Sequence, residues 1–167
     1  MAVQLDEEVV NLFQDAATVK VLATVDQKGI PHVVVKQTLQ VDGTGNLVYL
    51  ELLESSQTNK NLLRSLWFNR PVAVTIKSGD NQSYQITGQP VKALVAGPVF
   101  QEHYVNIRKK LGDVDLATVW LIQPEAVRNQ TFSVRQAQEQ QAHPNFIHLD
   151  QLAKPDYTNQ QKERIHR

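Results

Sequence analysis

The amino-acid sequence predicts a mainly β (α+β) domain, a six-stranded antiparallel barrel with helices inserted between strands and an arm at its C-terminal end. Segments rich in β-branched residues follow one another through short turns, as at QKG between residues 18–26 and 30–41. A helical period interrupts the strands at only two points. A doubly wound parallel sheet needs a helix after nearly every strand, so we expect hairpins instead.

The strands are expected at residues 18–26, 30–41, 47–53, 72–77, 83–97 and 116–132. Gly88 and Pro90 interrupt the fifth of these, which indicates a bulge or a sheet corner. The last segment fits either a strand pair or one bent strand.

Three helices are expected, at residues 5–17, 58–68 and 98–111, and Thr58 is the predicted N-cap of the second. Each helix has an apolar stripe that should face the sheet. The stripes are Leu5, Val9, Leu12, Phe13 and Ala16; Leu62, Leu63, Leu66 and Trp67; and Phe100, Tyr104, Ile107 and Leu111.

The chain divides by composition into a barrel domain at residues 1–134 and an arm at residues 135–167. The arm has seven glutamines, two prolines and scattered apolar residues, so it cannot form a core by itself. It is either a partly disordered tail or a segment that lies across the barrel or a partner subunit.

Charge and composition exclude several classes of protein. Seventeen basic and seventeen acidic residues cancel, so no overall field attracts nucleic acid or a membrane. There is no cysteine, and the first residues have neither the basic start nor the apolar core of a signal peptide. No apolar run is long enough to cross a bilayer. We expect a cytoplasmic protein that contacts neither nucleic acid nor membrane.

Common catalytic and metal motifs are not found in the sequence. The GTG at residues 43–45 joins two strands and opens no helix, so a dinucleotide loop is not expected there. His143, His148 and Asp150 are better explained as surface residues than as metal ligands, because a metal site needs three or four converging ligands. No metal is predicted.

The segment ESSQTNKN at residues 54–61 is the candidate anion site. No carboxylate occurs between Glu54 and Asp80, although four basic residues do, and a lysine in the first turn of a helix is unfavourable to the helix dipole. Hydroxyl, amide and ammonium groups meet there at a helix start, which suits a phosphate. An ordinary capped helix with a solvated lysine explains the same residues equally simply.

The order of HVVVK, SSQTNKNL, RPVAVTI and YQITG resembles the pyridoxamine 5′-phosphate oxidase-like FMN-binding split barrel superfamily, over roughly residues 6–124. The resemblance implies a split β-barrel, FMN as cofactor, and a homodimer with two flavins at its interface. The strand at 32–36 would run beside the flavin ring, the segment from Leu52 to Lys60 would hold the phosphate, and Ser83 or Gln85 would come from the other protomer. The implied cofactor-binding residues are His32, Val33, Val34, Val35, Lys36, Leu52, Ser56, Thr58, Asn59, Lys60, Ser83 and Gln85.

The sequence also departs from the family oxidase. His32 stands where that oxidase usually has arginine, and Asn59–Lys60 replaces an Arg–Lys pair, which implies weaker retention of FMN. The tryptophan and the arginines at the C-terminal end of the oxidase have no counterpart in this sequence. The vitamin B6 enzyme itself is therefore not expected. Tyr104 and Arg108 keep the spacing of the residues that bind substrate phosphate in the oxidase, and with Lys36 they form a candidate substrate site; packing of Tyr104 in the helix stripe is the alternative.

The favoured function is an FMN-dependent oxidoreductase or flavin reductase that acts on a small-molecule redox substrate or electron donor. No catalytic side chain is assigned, because the cofactor performs the redox chemistry. The alternatives are a non-catalytic flavin-binding or electron-carrying protein and a haem-binding or haem-degrading split barrel with His143 or His148 as axial ligand. An oligonucleotide-binding barrel is disfavoured by seven per cent aromatic residues and zero net charge.

Overall fold

A computed structural model of the chain describes residues 2–144. Their contacts divide the chain after Thr131, so that the sheet and three helices lie in the first unit and a fourth helix begins the second. The elements of the first unit are α1 (Glu7–Gln14), β1 (Val19–Val25), β2 (Pro31–Val35), β3 (Gln40–Val41), β4 (Leu47–Glu51), α2 (Gln57–Trp67), β5 (Val72–Lys77), β6 (Ser83–Leu94), α3 (Pro98–Leu111) and β7 (Thr118–Asn129). The second unit has α4 (Phe132–Ala142).

The seven strands form one antiparallel sheet in the order β2-β1-β5-β6-β7-β4-β3. β2 and β3 therefore lie at opposite edges of the sheet, although only Lys36 to Leu39 separate them in sequence. A chain of this length spans at most about 18 Å. The sheet must therefore curl until its two edges approach each other, which produces a split barrel.

The sheet has seven strands where six were predicted, because the segment at 30–41 forms two strands. After β2 the backbone N–H of Lys36 donates to Lys20 O at 2.7 Å, and Leu39 N–H then donates back to Lys36 O at 3.2 Å. This turn moves the chain from the β1 edge to the β4 edge. The hydroxyl of Thr38 fixes the new position by donating to Leu50 O at 2.7 Å.

The predicted irregularity in the long strand is confirmed, and it lies in the pairing of β6 with β7. The register shifts between Thr87 and Gly88 and again between Pro90 and Lys92. The segment at 116–132 forms one strand, β7, so a single bent strand is the correct one of the two predicted alternatives. Bulges of this kind increase the local twist and help a long strand to turn the corner of a barrel.

The core consists of two buried clusters on the two faces of the sheet. The larger contains Tyr49 and Trp120 together with Val9 and Phe13 of α1 and Leu62 of α2. The smaller lies under α3, where Ile107 packs against β4 and β7. All five residues of β4 are buried, because this strand is covered on both faces.

The three predicted helices occur near their expected places, with corrections to each. A fourth helix, α4, forms where the sequence predicts the end of a strand and the beginning of the arm. In α3, Leu111 of the predicted stripe is 53% exposed. Helix α1 is shorter than the predicted 5–17 and ends at Gln14, so Ala16 is exposed beyond it.

The buried face of α2 is only partly the predicted one, since Leu62 and Leu66 pack in the core as expected. Leu62 is buried, but Leu63 is 49% and Trp67 is 76% exposed. The buried face of α2 is Thr58, Asn61, Leu62 and Ser65.

The rotation of α2 has a polar cause. The side-chain amide of Asn61 donates to Thr24 Oγ1 at 2.9 Å in a buried position, and a buried polar group needs such a partner. This bond turns Asn61 inward and carries Leu63 and Trp67 outward. No helix among residues 2–144 is long and apolar enough to cross a membrane.

Candidate functional site

The start of α2 is capped by Ser56, two residues before the predicted cap Thr58. Ser56 Oγ accepts a hydrogen bond from the N–H of Asn59 at 2.9 Å. The first turn contains no acidic residue, and Lys60 is exposed at its end. The backbone N–H groups of Gln57 and Thr58 have no acceptor within the helix, as at every helix start. The N-terminal end of α2 therefore carries positive charge, as the sequence predicts.

Thr58 joins this helix start to the edge of the sheet. Its side chain is buried, and its Oγ1 lies 3.2 Å from His32 Nε2 of β2. His32 pairs with Thr24 in the sheet, and Thr24 in turn accepts the hydrogen bond from Asn61. The structure thus brings together two residues, His32 and Thr58, that are 26 positions apart and belong to different predicted parts of the site.

The side chain of Asn59 is held by other groups of the protein. Its Nδ2 donates to Glu54 O at 2.9 Å, and its Oδ1 accepts from Trp120 Nε1 at 2.9 Å. Both ends of the amide are therefore used. Among the predicted phosphate-binding side chains, Lys60 is the one that extends freely from the helix start.

A cavity of about 560 Å³ lies beside the turn that follows β2. Its volume is within the range of about 300–1,000 Å³ that is typical of pockets for small molecules and cofactors. Three of the predicted residues, Val35, Lys36 and Leu52, lie in its wall. The remaining lining residues are Gln37, Thr38, Tyr49, Leu50, Glu51, Leu53, Val114 and Asp115. The wall is thus mainly apolar, with a few charged groups.

Glu51, at the end of β4, is a buried carboxylate in this wall. Its Oε2 accepts from Tyr49 OH at 2.8 Å and from Ser56 Oγ at 2.5 Å, and its Oε1 accepts from Leu53 N–H at 3.0 Å. Glu51 was not among the predicted site residues. The signal in the sequence was the single acidic residue in LVYLELL, a run in which all the other residues are hydrophobic.

Lys36 balances the charge of Glu51. Its Nζ lies 4.0 Å from Glu51 Oε2 and 5.3 Å from the centre of the Tyr49 ring. Burial, the larger cause, and the hydrogen bond to Glu51, the smaller one, raise the pKa of Tyr49 above its ordinary value. The phenol therefore stays protonated and donates its hydrogen bond to Glu51. The cavity wall therefore holds the Lys36 ammonium beside the buried Glu51 carboxylate, and Asp115 adds a second carboxylate that is exposed.

Of the predicted substrate residues, Lys36 lines the cavity, whereas Tyr104 and Arg108 lie outside its lining and pair with each other. Arg108 Nη1 donates to Tyr104 OH at 3.0 Å, and Arg108 Nη2 is 2.7 Å from Asp113 Oδ1. Arg108 also lies 3.8 Å from the carboxylate of Asp115, a residue of the cavity wall. The ring of Tyr104 stacks on Phe100, so the predicted packing contact of Tyr104 also occurs.

Ser83 and Gln85 lie away from the other predicted site residues. Both are on β6, which is separated from β2 by β1 and β5. At a strand spacing of about 4.8 Å, this places them about 14 Å along the sheet from β2. Within one chain they do not reach the cavity.

No group of three or more potential metal ligands occurs among the residues that the structure describes. His143 lies just beyond the end of α4, whereas His148 and Asp150 lie outside the described residues.

The sequence matches no model of a known protein family and no curated protein. In contrast, 45 chains of known structure match the fold. HupZ of Group A Streptococcus is 18% identical with a TM-score of 0.65, and the match covers 77% of this chain and 96% of HupZ. An FMN-binding protein from Syntrophomonas wolfei is 15% identical with a TM-score of 0.59, over 75% of this chain and 86% of that protein. An F420 reductase is 18% identical with a TM-score of 0.58, over 75% of this chain and all 100% of that chain.

These likenesses confirm the fold that the sequence resemblance predicts. The protein has the split-barrel fold of the pyridoxamine 5′-phosphate oxidase-like FMN-binding proteins. With at most 23% identity to these matches, the likeness establishes the fold alone.

The residues of the site fit the ring of a flavin better than they fit its phosphate. The mainly apolar cavity with a half-buried ammonium at Lys36 suits an aromatic ring with an electron-rich edge. At the start of α2, Lys60 and the free N–H groups suit a phosphate. The Ser56 hydroxyl, which the sequence offers to that phosphate, is already bonded to Glu51.

Proposed function

We propose that the protein binds FMN in the cavity beside Lys36 and acts as an FMN-dependent oxidoreductase or flavin reductase on a small-molecule redox substrate or electron donor. The observation that carries this proposal is the cavity itself. It lies between the end of β2 and the end of β4, is mainly apolar, and contains a cation. These are the properties that a flavin ring requires.

Each part of the site has a separate task. When bound, FMN supplies the hydride and electron transfer chemistry. The apolar wall formed by Val35, Leu50 and Leu52 excludes water from the ring, and the Lys36 ammonium offsets negative charge at the ring edge. Side chains of β2 alternate between its two faces, so Val33 shares the face of Val35, which lines the cavity. His32 and Val34 lie on the other face, where His32 contacts Thr58.

The phosphate end of the proposed site is the start of α2. Lys60 provides the charge, and the N–H groups of the first turn provide donors. Ser56, Thr58 and Asn59 hold the shape of this turn through their bonds to Glu51, His32 and Trp120, so their contribution is to position the backbone donors.

The proposed site is completed by a second copy of the chain. β2 is an edge strand that pairs only with β1, and its Val33 and Val35 are 60% and 59% exposed. Apolar side chains on an open edge are a liability unless another surface covers them. In a homodimer that covers β2, Ser83 or Gln85 of the partner would reach the cofactor.

The proposed substrate site lies between Lys36 in the cavity wall and the Tyr104–Arg108 pair, which borders the cavity through Asp115. The carboxylates that pair with Arg108 belong to Asp113 and Asp115, whose side chains are 95% and 91% exposed. Ion pairs with such exposed groups are weak, so an anionic group of a substrate can replace them.

An absorption spectrum of the purified protein between about 300 and 700 nm, with and without added FMN, tests the proposal. Two flavin bands that are shifted from those of free FMN are the expected result. A colourless protein that leaves the FMN spectrum unchanged would overturn it. A Soret band instead would favour the haem-binding alternative.

Turnover separates the two flavin alternatives. If the flavin-loaded protein oxidises a reduced nicotinamide, it is a reductase. If it binds flavin and never turns over with nicotinamide or another donor, the non-catalytic flavin carrier is the correct description.

A further inference from the structure

The buried carboxylate of Glu51 lies next to the start of α2, where the proposed site would bind a phosphate, and is bonded to the cap residue Ser56. Glu51 is 1% exposed and accepts three hydrogen bonds, from Tyr49, Leu53 and Ser56. All three bonds are donated to the carboxylate, which satisfies most of its acceptor capacity. The nearest cation is Lys36, at 4.0 Å.

Ser56 links this carboxylate directly to the helix start. Its hydroxyl donates to Glu51, while its oxygen accepts from the N–H of Asn59 in the first turn. The negative charge is thus one hydrogen-bonded residue away from the helix amides. No acidic residue of α2 itself lies in the first turn, so Glu51 is the acidic group that complements this end of the helix.

We propose that Glu51 is a specificity-determining residue that lowers the preference of the site for a phosphorylated flavin over an unphosphorylated one. This inference rests on the proposed function, because it concerns the same flavin site. A phosphate that approaches the α2 start meets Lys60 and free N–H groups, which attract it, and the fixed charge of Glu51, which repels it. The isoalloxazine ring is neutral and is not affected in this way.

The charge balance of the site predicts what removing this carboxylate does. In Glu51→Gln the side chain keeps its size and an acceptor oxygen, but the negative charge disappears. Lys60 then acts on the phosphate without the opposing charge of Glu51. The affinity for FMN should rise, whereas the affinity for riboflavin, which has no phosphate, should change little.

The test is to titrate FMN and riboflavin into the full-length wild-type protein and into the Glu51→Gln and Glu125→Gln variants, and to compare the ratio of the two dissociation constants. Glu125 is an exposed glutamate on β7, so its variant makes the same change of charge away from the cavity. We expect the preference for FMN to increase at least about tenfold in Glu51→Gln and to stay unchanged in Glu125→Gln. An unchanged preference in Glu51→Gln would overturn the inference.

The wild-type protein provides a second measurement that does not depend on a variant that folds. We expect it to prefer FMN over riboflavin by less than about a hundredfold, because Glu51 opposes the phosphate. A wild-type preference above about a thousandfold would overturn the inference while supporting the proposed flavin site. If the wild-type protein binds neither flavin, the proposed function itself is overturned.

Discussion

Lys60 and Glu51 give the α2 start its two opposite charges, and they reach it from different directions. Lys60 extends from the helix itself, whereas Glu51 comes from the preceding strand and is joined to the helix through Ser56. The sequence shows the basic residues of this segment clearly. It does not show that a carboxylate five residues before the cap returns to it, because that depends on the turn at residues 52–55.

Replacement of Lys60 tests the phosphate end of the proposed site. We expect Lys60→Ala to weaken FMN binding by about 1.5–3 kcal/mol, which is the range for a hydrogen bond to a charged group. Lys28→Ala, in the turn between β1 and β2, is the matched control because Lys28 is equally exposed. Fluorescence titration measures both. Equal FMN affinities in Lys60→Ala and wild type would refute the phosphate assignment.

Lys20 is a buried lysine for which the sequence gives no signal. It is 7% exposed, and its Nζ donates to Leu39 O at 3.0 Å. Burial and, secondarily, the charge of Lys110 lower the pKa of Lys20, although Asp15 acts in the opposite direction. The folded state therefore holds the proton less tightly than the unfolded chain, which costs stability whenever Lys20 is charged.

This pKa difference should make stability depend on pH in the alkaline range. Between the lowered pKa of Lys20 and the ordinary lysine value of about 10.4, the unfolded state binds more protons than the folded state, so the free energy of unfolding rises with pH. Lys20→Met should lack this rise. Urea unfolding of both proteins at about pH 8 and 10.5 measures it, and parallel pH dependences would contradict the expectation.

At the bulge of β6, a glycine allows the strand to lie close to β7. Gly88 lies where the register between β6 and β7 shifts. A Cβ at this position would be 2.8 Å from Gln123 O and 2.8 Å from Ile122 Cγ2. Because the carbonyl belongs to the backbone of the paired strand, it cannot move without disturbing the sheet.

We expect Gly88→Ala to destabilise the protein by about 1–3 kcal/mol, the usual cost of overpacking. Gly43→Ala is the control, since a Cβ at Gly43 meets nothing within 4 Å. Chemical denaturation of the two variants gives the difference. A Gly88→Ala variant as stable as the control would show that the sheet can absorb the contact.

Local patterns predict the elements well where one physical signal dominates. The limits of β5 and α3 agree with the sequence, because Pro71 precedes the first and a proline and a glycine bound the second. The face of α2 could not be predicted in this way. Leu63 and Trp67 look like core residues, but the buried bond of Asn61 to Thr24 decides the rotation, and Thr24 lies 37 residues away.

The candidate site was predictable to a similar degree. Lys36 and Leu52 line the cavity and Lys60 is exposed at the start of α2, positions that follow from the ends of strands and the start of a helix, while their roles in binding flavin stay predictions. The engagement of Asn59 with Trp120 depends on a contact over 61 residues, which no local pattern contains. The contacts of Glu51 with Tyr49, Leu53 and Ser56 are local, but the sequence does not show that this carboxylate is buried in a cavity wall.

At the scale of the whole molecule, the open edge at β2 is the feature that calls for a second copy. We expect Val33→Asp to convert the proposed homodimer into a monomer and to abolish FMN binding, because it places a charge on the exposed apolar edge. Val95→Asp, at a valine that is 67% exposed beyond the end of β6, is the control. Sedimentation equilibrium measures the mass. A wild-type protein that is already monomeric would contradict the dimer.

The most direct test of the central claim is a calorimetric titration of FMN into the wild-type protein. Saturable binding of about one FMN per protomer is the predicted result, because each chain contributes one cavity beside Lys36. The absence of saturable binding up to about 1 mM FMN would contradict the account, since that concentration corresponds to a binding free energy of only about −4 kcal/mol.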